Sequence, residues 1–287
     1  MTTDATSLGT QPGKVFEILG TLSLLTPWDV AGCGKIRIGA AADGGYVMLD
    51  RLRPDQPVFS YGVGPDSSFD AEMAARGHRV FMFDHTVQGP AGGIPPGAQF
   101  TKEGVGPVPA PERRLDTVEN HLRRHGCLGR RDLILKMDVE GAEWPVLATL
   151  PDAVLDGFEQ IVVELHGFQA LAEDGLRAVI QAALARLNGR FTLCHVHGNA
   201  HAGIRLAEGV PVLPALEATY VRTDLVERTQ SRMLFPTPLD RSNKPGTRDI
   251  VLCMYPFLPM AVPIQDFAAL GRRLDAEHAA AAPVPRD

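Results

Sequence analysis

Length, composition and charge are those of an ordinary globular enzyme, and they argue against several other classes of protein. The 287 residues are 45% hydrophobic and 22% charged, which is enough apolar material for a sizeable core. The net charge of −6, without a cluster of Lys and Arg, argues against nucleic acid as a partner. No stretch approaches the roughly 18 apolar residues of a membrane span, so we expect no membrane partner.

The cysteines and the N-terminal segment bear on the compartment. The four cysteines are widely separated, lack C-x-x-C spacing and are too few for a disulfide framework. The segment from Met1 to Gly13 is polar and has no apolar stretch of the kind that a signal peptide needs. We therefore expect a cytoplasmic protein with free thiols. Assembly into a homo-oligomer is compatible with the sequence but is not specified by it.

The two ends of the chain flank a single predicted domain. A helix is predicted from about Val15 to Leu25 by the helical spacing of its apolar residues, and the turn Asp43-Gly44-Gly45 precedes a short apolar strand. The predicted organisation is a disordered tail at 1–13, one domain at 14–275 (an N-terminal cap at 14–57 and a core at 58–275), and a second disordered tail at 276–287.

Predicted strands alternate with predicted helices through the core. The strands are expected at 58–63, 79–84, 133–139, 160–166, 191–197 and 218–222, with 249–254 as a candidate for a last one. The helices are expected at 67–76 (with Ser67 or Ser68 as N-cap), within 111–125, at 144–150 and at 171–188. Because the strands are apolar on both faces, we predict an α/β fold, a Rossmann-like, doubly wound and mostly parallel sheet. In such sheets, ligands bind beyond the carboxyl ends of the strands.

The stretch from 88 to 111 interrupts this alternation. It is rich in Gly and Pro and is either a mobile loop near the mouth of a site or a plain connector. Its composition does not separate the two interpretations.

A glycine turn ends the first strand of the core. Gly62 and Gly64 allow a tight turn and a close approach of the backbone to a ligand. About 20 residues later the next strand ends in Asp84, placed to accept hydrogen bonds from a ribose diol. A dinucleotide-binding fingerprint would have a third glycine where this chain has Ser67. A ribose without phosphates, as in S-adenosylmethionine, therefore fits better than NAD, and a purely structural turn is the alternative.

Three acids lie at or just beyond the carboxyl end of the nearly continuous apolar strand at 133–139. Asp138 and Glu140 share one face by the two-residue period of a strand, and Glu143 comes three residues later. An acid in this position can alternatively cap the helix that follows.

This segment, Lys136-Met-Asp-Val-Glu-Gly-Ala-Glu143, resembles the hallmark of FkbM-type methyltransferases. Three further segments agree with that family in the expected order: Arg37 to Gly39 with Asp43 to Tyr46, Tyr61 to Asp70, and His195 to Asn199. The resemblance covers residues 37 to about 222 and implies a class I methyltransferase-like fold with S-adenosyl-L-methionine as cofactor. The chain departs from the family pattern at Ala200, where a second Asn is usual.

The resemblance also implies a set of cofactor contacts. Glu103 or Val105 would flank the adenine, Asp138 would lie beside the methionyl part, and the turn at Asp43 would either close over that end or be a simple β-turn. The full set expected to bind the cofactor is Asp43, Gly44, Gly45, Tyr61, Gly62, Gly64, Ser67, Ser68, Asp84, Glu103, Gly104, Val105 and Asp138.

Two further pairs of polar residues lie where predicted strands end. Glu164 and His166 share one face, as do His195 and His197. His166 and His197 are candidates for a general base, with Asp138 orienting the base. Alternatively, Asp138, Glu164 and His197 would hold a divalent metal ion such as Mg, Mn, Fe or Zn. A third interpretation is that these side chains brace loop backbones.

The predicted function is S-adenosylmethionine-dependent methylation of a small-molecule substrate. The resemblance implies an oxygen acceptor, such as a hydroxyl or a carboxylate. Two rival functions are an NAD-dependent oxidoreductase, disfavoured by the missing third glycine, and a non-catalytic nucleoside-binding protein with the same fold. The sequence specifies neither the acceptor nor the metal.

Overall fold

Seven α-helices lie in the described residues of the computed structural model, which are 12–64, 66–259 and 264–281. They are α1 (Pro12–Ser23), α2 (Ser68–Ala75), α3 (Val118–Arg124), α4 (Glu143–Thr149), α5 (Asp152–Leu155), α6 (Asp174–Asn188) and α7 (Ile264–Ala281). None of them combines the length and the apolar character that crossing a lipid bilayer requires.

Fifteen strands lie in the same part of the chain. They are β1 (Trp28–Val30), β2 (Lys35–Ile38), β3 (Tyr46–Leu49), β4 (Pro57–Tyr61), β5 (Arg79–Phe83), β6 (Ala98–Thr101), β7 (Gly104–Val105), β8 (Leu115–Asp116), β9 (Leu133–Met137), β10 (Phe158–His166), β11 (Phe191–Gly198), β12 (Arg205–Ala207), β13 (Val210–Val212), β14 (Ala215–Arg222) and β15 (Arg228–Gln230). Seven of these form the central sheet, in the order β11-β14-β10-β9-β4-β5-β6.

The central sheet is parallel except at β14. The strands β10, β9, β4, β5 and β6 run parallel to one another, whereas β14 is antiparallel to both β10 and β11. This topology confirms the predicted α/β fold with a mostly parallel sheet.

Alternate residues of the central strands pack on opposite faces of the sheet. Phe59 and Leu135 belong to one buried cluster, which also includes apolar residues of α1, α3, α4 and α6. Val58 and Ile134 belong to a second cluster, on the other face. That second face is covered by α2 together with the β2–β3 hairpin, so a hairpin does part of the covering that was expected of helices.

The β2–β3 hairpin is held against the sheet by two polar side chains. Gln160 accepts a hydrogen bond from the backbone N–H of Leu49 and donates one to its carbonyl, and the Thr219 hydroxyl donates to the carbonyl of Val47. The turn before β3, with Asp43 and Gly44, consequently lies at the carboxyl ends of the central strands.

The chain reverses its direction of travel across the sheet at β4. From β4 it proceeds outward to β5 and β6 on one side, and it later returns to fill β9 and β10 on the other side. A crevice at the carboxyl ends of the strands is expected at such a switch point.

Several predicted boundaries differ from the structure. Helix α1 begins at Pro12, and α7 continues through Ala281, so part of each predicted tail is helical. The Ala residues near the end of α7 have the highest helix propensity, which explains why this helix continues into the predicted C-terminal tail. The other residues of both tails lie outside the described residues. The candidate strand at 249–254 is irregular, and the stretch from 88 to 111 contains β6 and β7.

The predicted N-cap of α2 is also different. Ser67 makes no capping hydrogen bond with its side chain, and the backbone N–H of Ser68 donates instead to Asp66 Oδ1 at 2.7 Å. An Asp two residues before the amide offers the same kind of acceptor as a capping Ser.

Candidate functional site

A cavity of about 490 Å³ opens at the carboxyl ends of β4, β5 and β9. Its walls come from the turn before β3, the turn after β4, the end of β5, β7 and the segment that follows β9. The position agrees with the switch point of the sheet, and the volume is that of a pocket for a small organic ligand.

Two glycines with positive φ shape the turn after β4. Gly62 has a φ of +77° and Gly64 a φ of +57°. A Cβ atom on Gly62 would lie 1.6 Å from the backbone oxygen of Asp138, so no larger residue fits where the two strand ends pass each other. A Cβ on Gly64 would meet no atom within 4 Å. Packing therefore requires the first glycine, and only the backbone angle favours the second.

Asp84, at the end of β5, fastens this turn. Its Oδ2 accepts hydrogen bonds from the amides of Val63 (3.0 Å) and Gly64 (3.1 Å). Its Oδ1 accepts from the amide (2.7 Å) and the hydroxyl (2.6 Å) of Thr86. Burial alone would raise the pKa of Asp84, but these hydrogen bonds outweigh burial and hold it below its ordinary value. Asp84 lines the cavity and also supports the glycine turn.

Most residues expected to bind a cofactor line the cavity, and some do not. Those in the lining are Asp43, Gly44, Gly62, Gly64, Asp84, Gly104, Val105 and Asp138. Those outside it are Gly45, Tyr61, Ser67, Ser68 and Glu103. Gly45 packs against the carbonyl of Ala40. The amide of Ala40 donates to the Ser68 hydroxyl at 2.8 Å, and this hydrogen bond ties the hairpin to α2.

Tyr61 and Glu103 lie one layer behind the cavity, where His121 joins them. His121 Nδ1 is 3.1 Å from the Tyr61 hydroxyl, and Nε2 is 3.1 Å from Glu103 Oε2. The imidazole stacks on Phe83, a lining residue, with 4.1 Å between ring centroids. Burial lowers the pKa of His121 to about 4, despite the opposing effect of its hydrogen bond to Glu103, so the ring is neutral at pH 7.

We expect acidification from pH 6.5 to 4 to destabilise the protein through His121. The folded-state pKa lies below the ordinary value of 6.5, so the stabilisation is complete above pH 6.5 and is lost as the pH falls toward 4. The loss should be about 3 kcal/mol. Denaturant unfolding at pH 7 and 4.5 would measure it, with His121→Gln as the variant that cannot titrate. Equal losses in both proteins would contradict this origin.

Three buried polar residues at the cavity were not predicted to belong to the site. The Tyr46 hydroxyl donates to Asp138 Oδ2 at 3.0 Å. Lys136 donates to the carbonyl of Gly62, and its Nζ lies 4.0 Å from Asp138 Oδ2. Asp70 is 2% exposed, and its Oδ1 has no hydrogen-bond partner among the described residues; burial raises its pKa. A lysine within an apolar strand was a visible signal, whereas Asp70 looks like any acid on a helix.

His166, at the end of β10, is anchored through Nδ1. This atom is 3.0 Å from Oε1 of Glu143, a fully buried residue. Glu143 also accepts hydrogen bonds from the amides of Val139 (2.9 Å) and Gly141 (2.8 Å). Glu143 therefore braces the loop before α4 and fixes the imidazole at the same time.

The other ring nitrogen of His166 faces three carboxylates. Nε2 lies 3.5 Å from Glu140 Oε2, 3.6 Å from Glu164 Oε1 and 3.9 Å from Asp138 Oδ1. Burial opposes the charged imidazolium, but the hydrogen bond to Glu143 and the surrounding acids outweigh it and raise the pKa of His166 to about 9. His166 does not line the cavity, but Asp138 and Glu140 do, so it lies directly behind them.

His197 is not at the cavity, which corrects two of the predicted roles. It is 1% exposed, with Nδ1 3.0 Å from Glu217 Oε2 and Nε2 2.9 Å from both oxygens of Asp249. Burial would lower its pKa, but the two carboxylates outweigh burial and raise it well above the ordinary value. Both ring nitrogens are occupied, so His197 is not available as a base or as a metal ligand.

Strand order explains the separation of the two histidines. The predicted sites need the strand ends of His166 and His197 to lie close together, but β14 lies between these two strands. Glu217 of β14 is paired with Glu164 on one side and with His197 on the other. The predicted metal set of Asp138, Glu164 and His197 is therefore not brought together. Donor atoms of Asp138, Glu140 and His166 do converge, within 4.8 Å of one another.

Comparisons with known proteins give one family match. The model of the methyltransferase FkbM domain matches residues 41–191, which include the glycine turn, Asp84, Asp138 and His166. No curated protein sequence matches the chain.

The solved structures that match the chain are distant in sequence. A putative hemolysin from Streptococcus thermophilus is 10% identical, with a TM-score of 0.35 over 63% of this chain and 72% of that one. A precorrin-6y C5,15-methyltransferase from Geobacter metallireducens is 14% identical, with a TM-score of 0.32 over 76% and 92%. A predicted O-methyltransferase from Agrobacterium tumefaciens is 11% identical, with a TM-score of 0.34 over 93% and 99%. Similarities of this size support no conclusion about substrate.

Proposed function

The chain belongs to the methyltransferase FkbM domain family, and from this membership we propose that it uses S-adenosyl-L-methionine to methylate an oxygen of a small molecule. The observation that carries the proposal is the cavity at the switch point, with the Gly62–Gly64 turn and Asp84 on adjacent strand ends. The acceptor would be a hydroxyl or a carboxylate.

The lining of the cavity fits a nucleoside joined to an amino acid. Phe83, Val105 and Leu115 offer an apolar wall for a purine, next to the ribose-binding candidate Asp84. Lys136 and Asp138, of opposite charge, line the same cavity and match the carboxylate and the ammonium of the amino-acid part. Because Asp84 already accepts four hydrogen bonds, a ribose hydroxyl would take the place of one of them.

This fit defines what the cofactor and the protein would each contribute to the reaction. When bound, S-adenosylmethionine supplies an electrophilic methyl group for in-line transfer. The chain must orient the acceptor, exclude water and receive a proton. The apolar wall excludes water, Lys136 and Asp138 orient charged groups, and Glu140, which lines the cavity beside His166 Nε2, provides an oxygen atom that can hold the proton lost by the acceptor.

Ligand-induced stabilisation tests the proposal directly. At 100 times its dissociation constant, S-adenosylhomocysteine should stabilise the protein by about 2.7 kcal/mol, and NAD should have no effect. Thermal unfolding with each compound, followed by calorimetry, would measure this. Stabilisation by NAD alone would overturn the proposal.

Asp84→Ala should weaken S-adenosylhomocysteine binding by about 10- to 150-fold, since a charge-assisted contact of about 1.5–3 kcal/mol is lost together with the support of the glycine turn. Calorimetry would measure the affinity. Asp224→Ala is the matched control, because Asp224 is exposed and lies outside the cavity lining. An unchanged affinity in Asp84→Ala would remove Asp84 from the site.

A further inference from the structure

Three side chains of the types that can ligate a metal ion converge at one edge of the cavity. One oxygen of Asp138, one oxygen of Glu140 and Nε2 of His166 all lie within 4.8 Å of one another. The nitrogen is 3.5 Å from Glu140 Oε2 and 3.9 Å from Asp138 Oδ1, and it makes no hydrogen bond to either. The three donor atoms therefore face one another without being hydrogen-bonded to each other.

The imidazole is oriented in the way that metal-binding histidines are. His166 Nδ1 is 3.0 Å from Oε1 of the fully buried Glu143, which leaves Nε2 directed at the two acids. A carboxylate that holds one ring nitrogen fixes the tautomer and the orientation of a histidine whose other nitrogen binds a metal ion. Glu143 is itself held by two backbone amides, so the support is rigid.

A second cluster of similar composition differs in that both nitrogens of its imidazole already have hydrogen-bond partners. Glu103, Asp116 and His121 also have converging donor atoms. There, however, both nitrogens of His121 have partners, the Tyr61 hydroxyl and Glu103. Of these two clusters in the described residues, the one around His166 has a ring nitrogen directed at acids that line the cavity.

Carboxyl oxygens outnumber cationic side chains around His166 Nε2. Glu164 Oε1 is a third carboxylate oxygen near this atom, at 3.6 Å, and it accepts a hydrogen bond from Asn199 at 2.6 Å. Lys136, 4.0 Å from the far oxygen of Asp138, is the neighbouring cationic side chain. A divalent cation would bring more positive charge to the oxygens of Asp138 and Glu140 than the proton of one imidazolium does.

We propose that Asp138, Glu140 and His166 bind one divalent cation of the Mn²⁺ and Mg²⁺ type. Two carboxylates and one imidazole suit such ions, and three protein ligands leave coordination positions open. On binding, the cation replaces the proton on Nε2, which passes to solvent.

The role of the cation rests on the proposed function. Because Asp138 and Glu140 line the cavity, an open coordination position can take the oxygen of the acceptor. A cation there lowers the pKa of a bound hydroxyl and orients it. The acceptor class narrows accordingly to small molecules whose hydroxyl or carboxylate can coordinate a metal ion.

Titration of the chelator-treated protein with MnCl₂ alone, followed by electron paramagnetic resonance, tests the site without substrate. We expect one bound equivalent, and dissociation constants at least tenfold weaker in Glu140→Gln. Glu143→Gln, which acts through His166, should weaken binding by about 10- to 100-fold. Glu208→Gln is the matched control, since Glu140 and Glu208 both have positive φ (55° and 48°) and Glu208 lies outside the cavity lining.

Two results would overturn the cation site: no Mn²⁺ binding by the native protein, or equal affinity in Glu140→Gln. Parallel calorimetry with S-adenosylhomocysteine separates this failure from that of the proposed function. If the protein binds S-adenosylhomocysteine but does not bind Mn²⁺, the cation site alone is rejected. If the protein binds Mn²⁺ but does not bind S-adenosylhomocysteine, the cation site is retained and the methyltransferase role is rejected.

Discussion

Replacing His166 with Asn should lower turnover by about 10²- to 10⁴-fold while S-adenosylhomocysteine still binds. The Asn amide can take the place of Nδ1 and donate to Glu143, so the loop before α4 keeps its support. No atom of Asn replaces Nε2, which faces Asp138 and Glu140. The rate of S-adenosylhomocysteine formation would be measured with an acceptor found by screening small hydroxyl and carboxylate compounds.

His197→Asn provides the contrasting control. This change leaves the buried carboxylates of Glu217 and Asp249 without their common cation, which should cost about 3–5 kcal/mol of folding stability. Turnover of the folded fraction should be unchanged, because His197 is outside the cavity lining. Full activity in His166→Asn, or equal loss of activity per folded molecule in both variants, would contradict a specific role of His166 in methyl transfer.

Gly62→Ala should abolish measurable binding of S-adenosylhomocysteine and destabilise the fold by about 2–5 kcal/mol. The added Cβ would lie 1.6 Å from the backbone oxygen of Asp138, so the end of β4 and the end of β9 must move apart. The positive φ of Gly62 adds a second penalty for any residue with a side chain. Denaturant unfolding and calorimetry would measure the two effects.

Gly64→Ala is the matched variant for this prediction. Gly64 also has a positive φ, but its Cβ would meet no atom within 4 Å, so only a backbone cost of about 1–2 kcal/mol is expected. A Gly62→Ala protein as stable as Gly64→Ala would show that the strand ends can separate freely, contrary to the packing described here.

The glycine turn and Asp84 could be predicted because their geometry depends on adjacent sequence and on strand direction. Runs that are apolar on both faces require a covered parallel sheet, and parallel strands bring their carboxyl ends to one edge. Gly62, Gly64, Asp84 and Asp138 each end or follow such a strand, and all four line the cavity. For these residues the local pattern was sufficient.

The partners of the histidines could not be predicted in the same way. His166 and His197 end strands that are consecutive in the chain, but β14, which comes later in the sequence, lies between those strands. The insertion pairs Glu217 with His197 and leaves His166 with the acids that follow β9. Asp70 was missed because nothing in a helix sequence shows that one of its acids points into a cavity.

The sequence by itself therefore determined the fold class, the family and the turn that shapes the cavity. Each of these depends on apolar periodicity or on motifs a few residues long. Only the tertiary structure decided which acids and which histidine share a site with Lys136. That choice depends on strand order and register, which arise from pairing between segments far apart in the chain, and a local pattern carries no record of it.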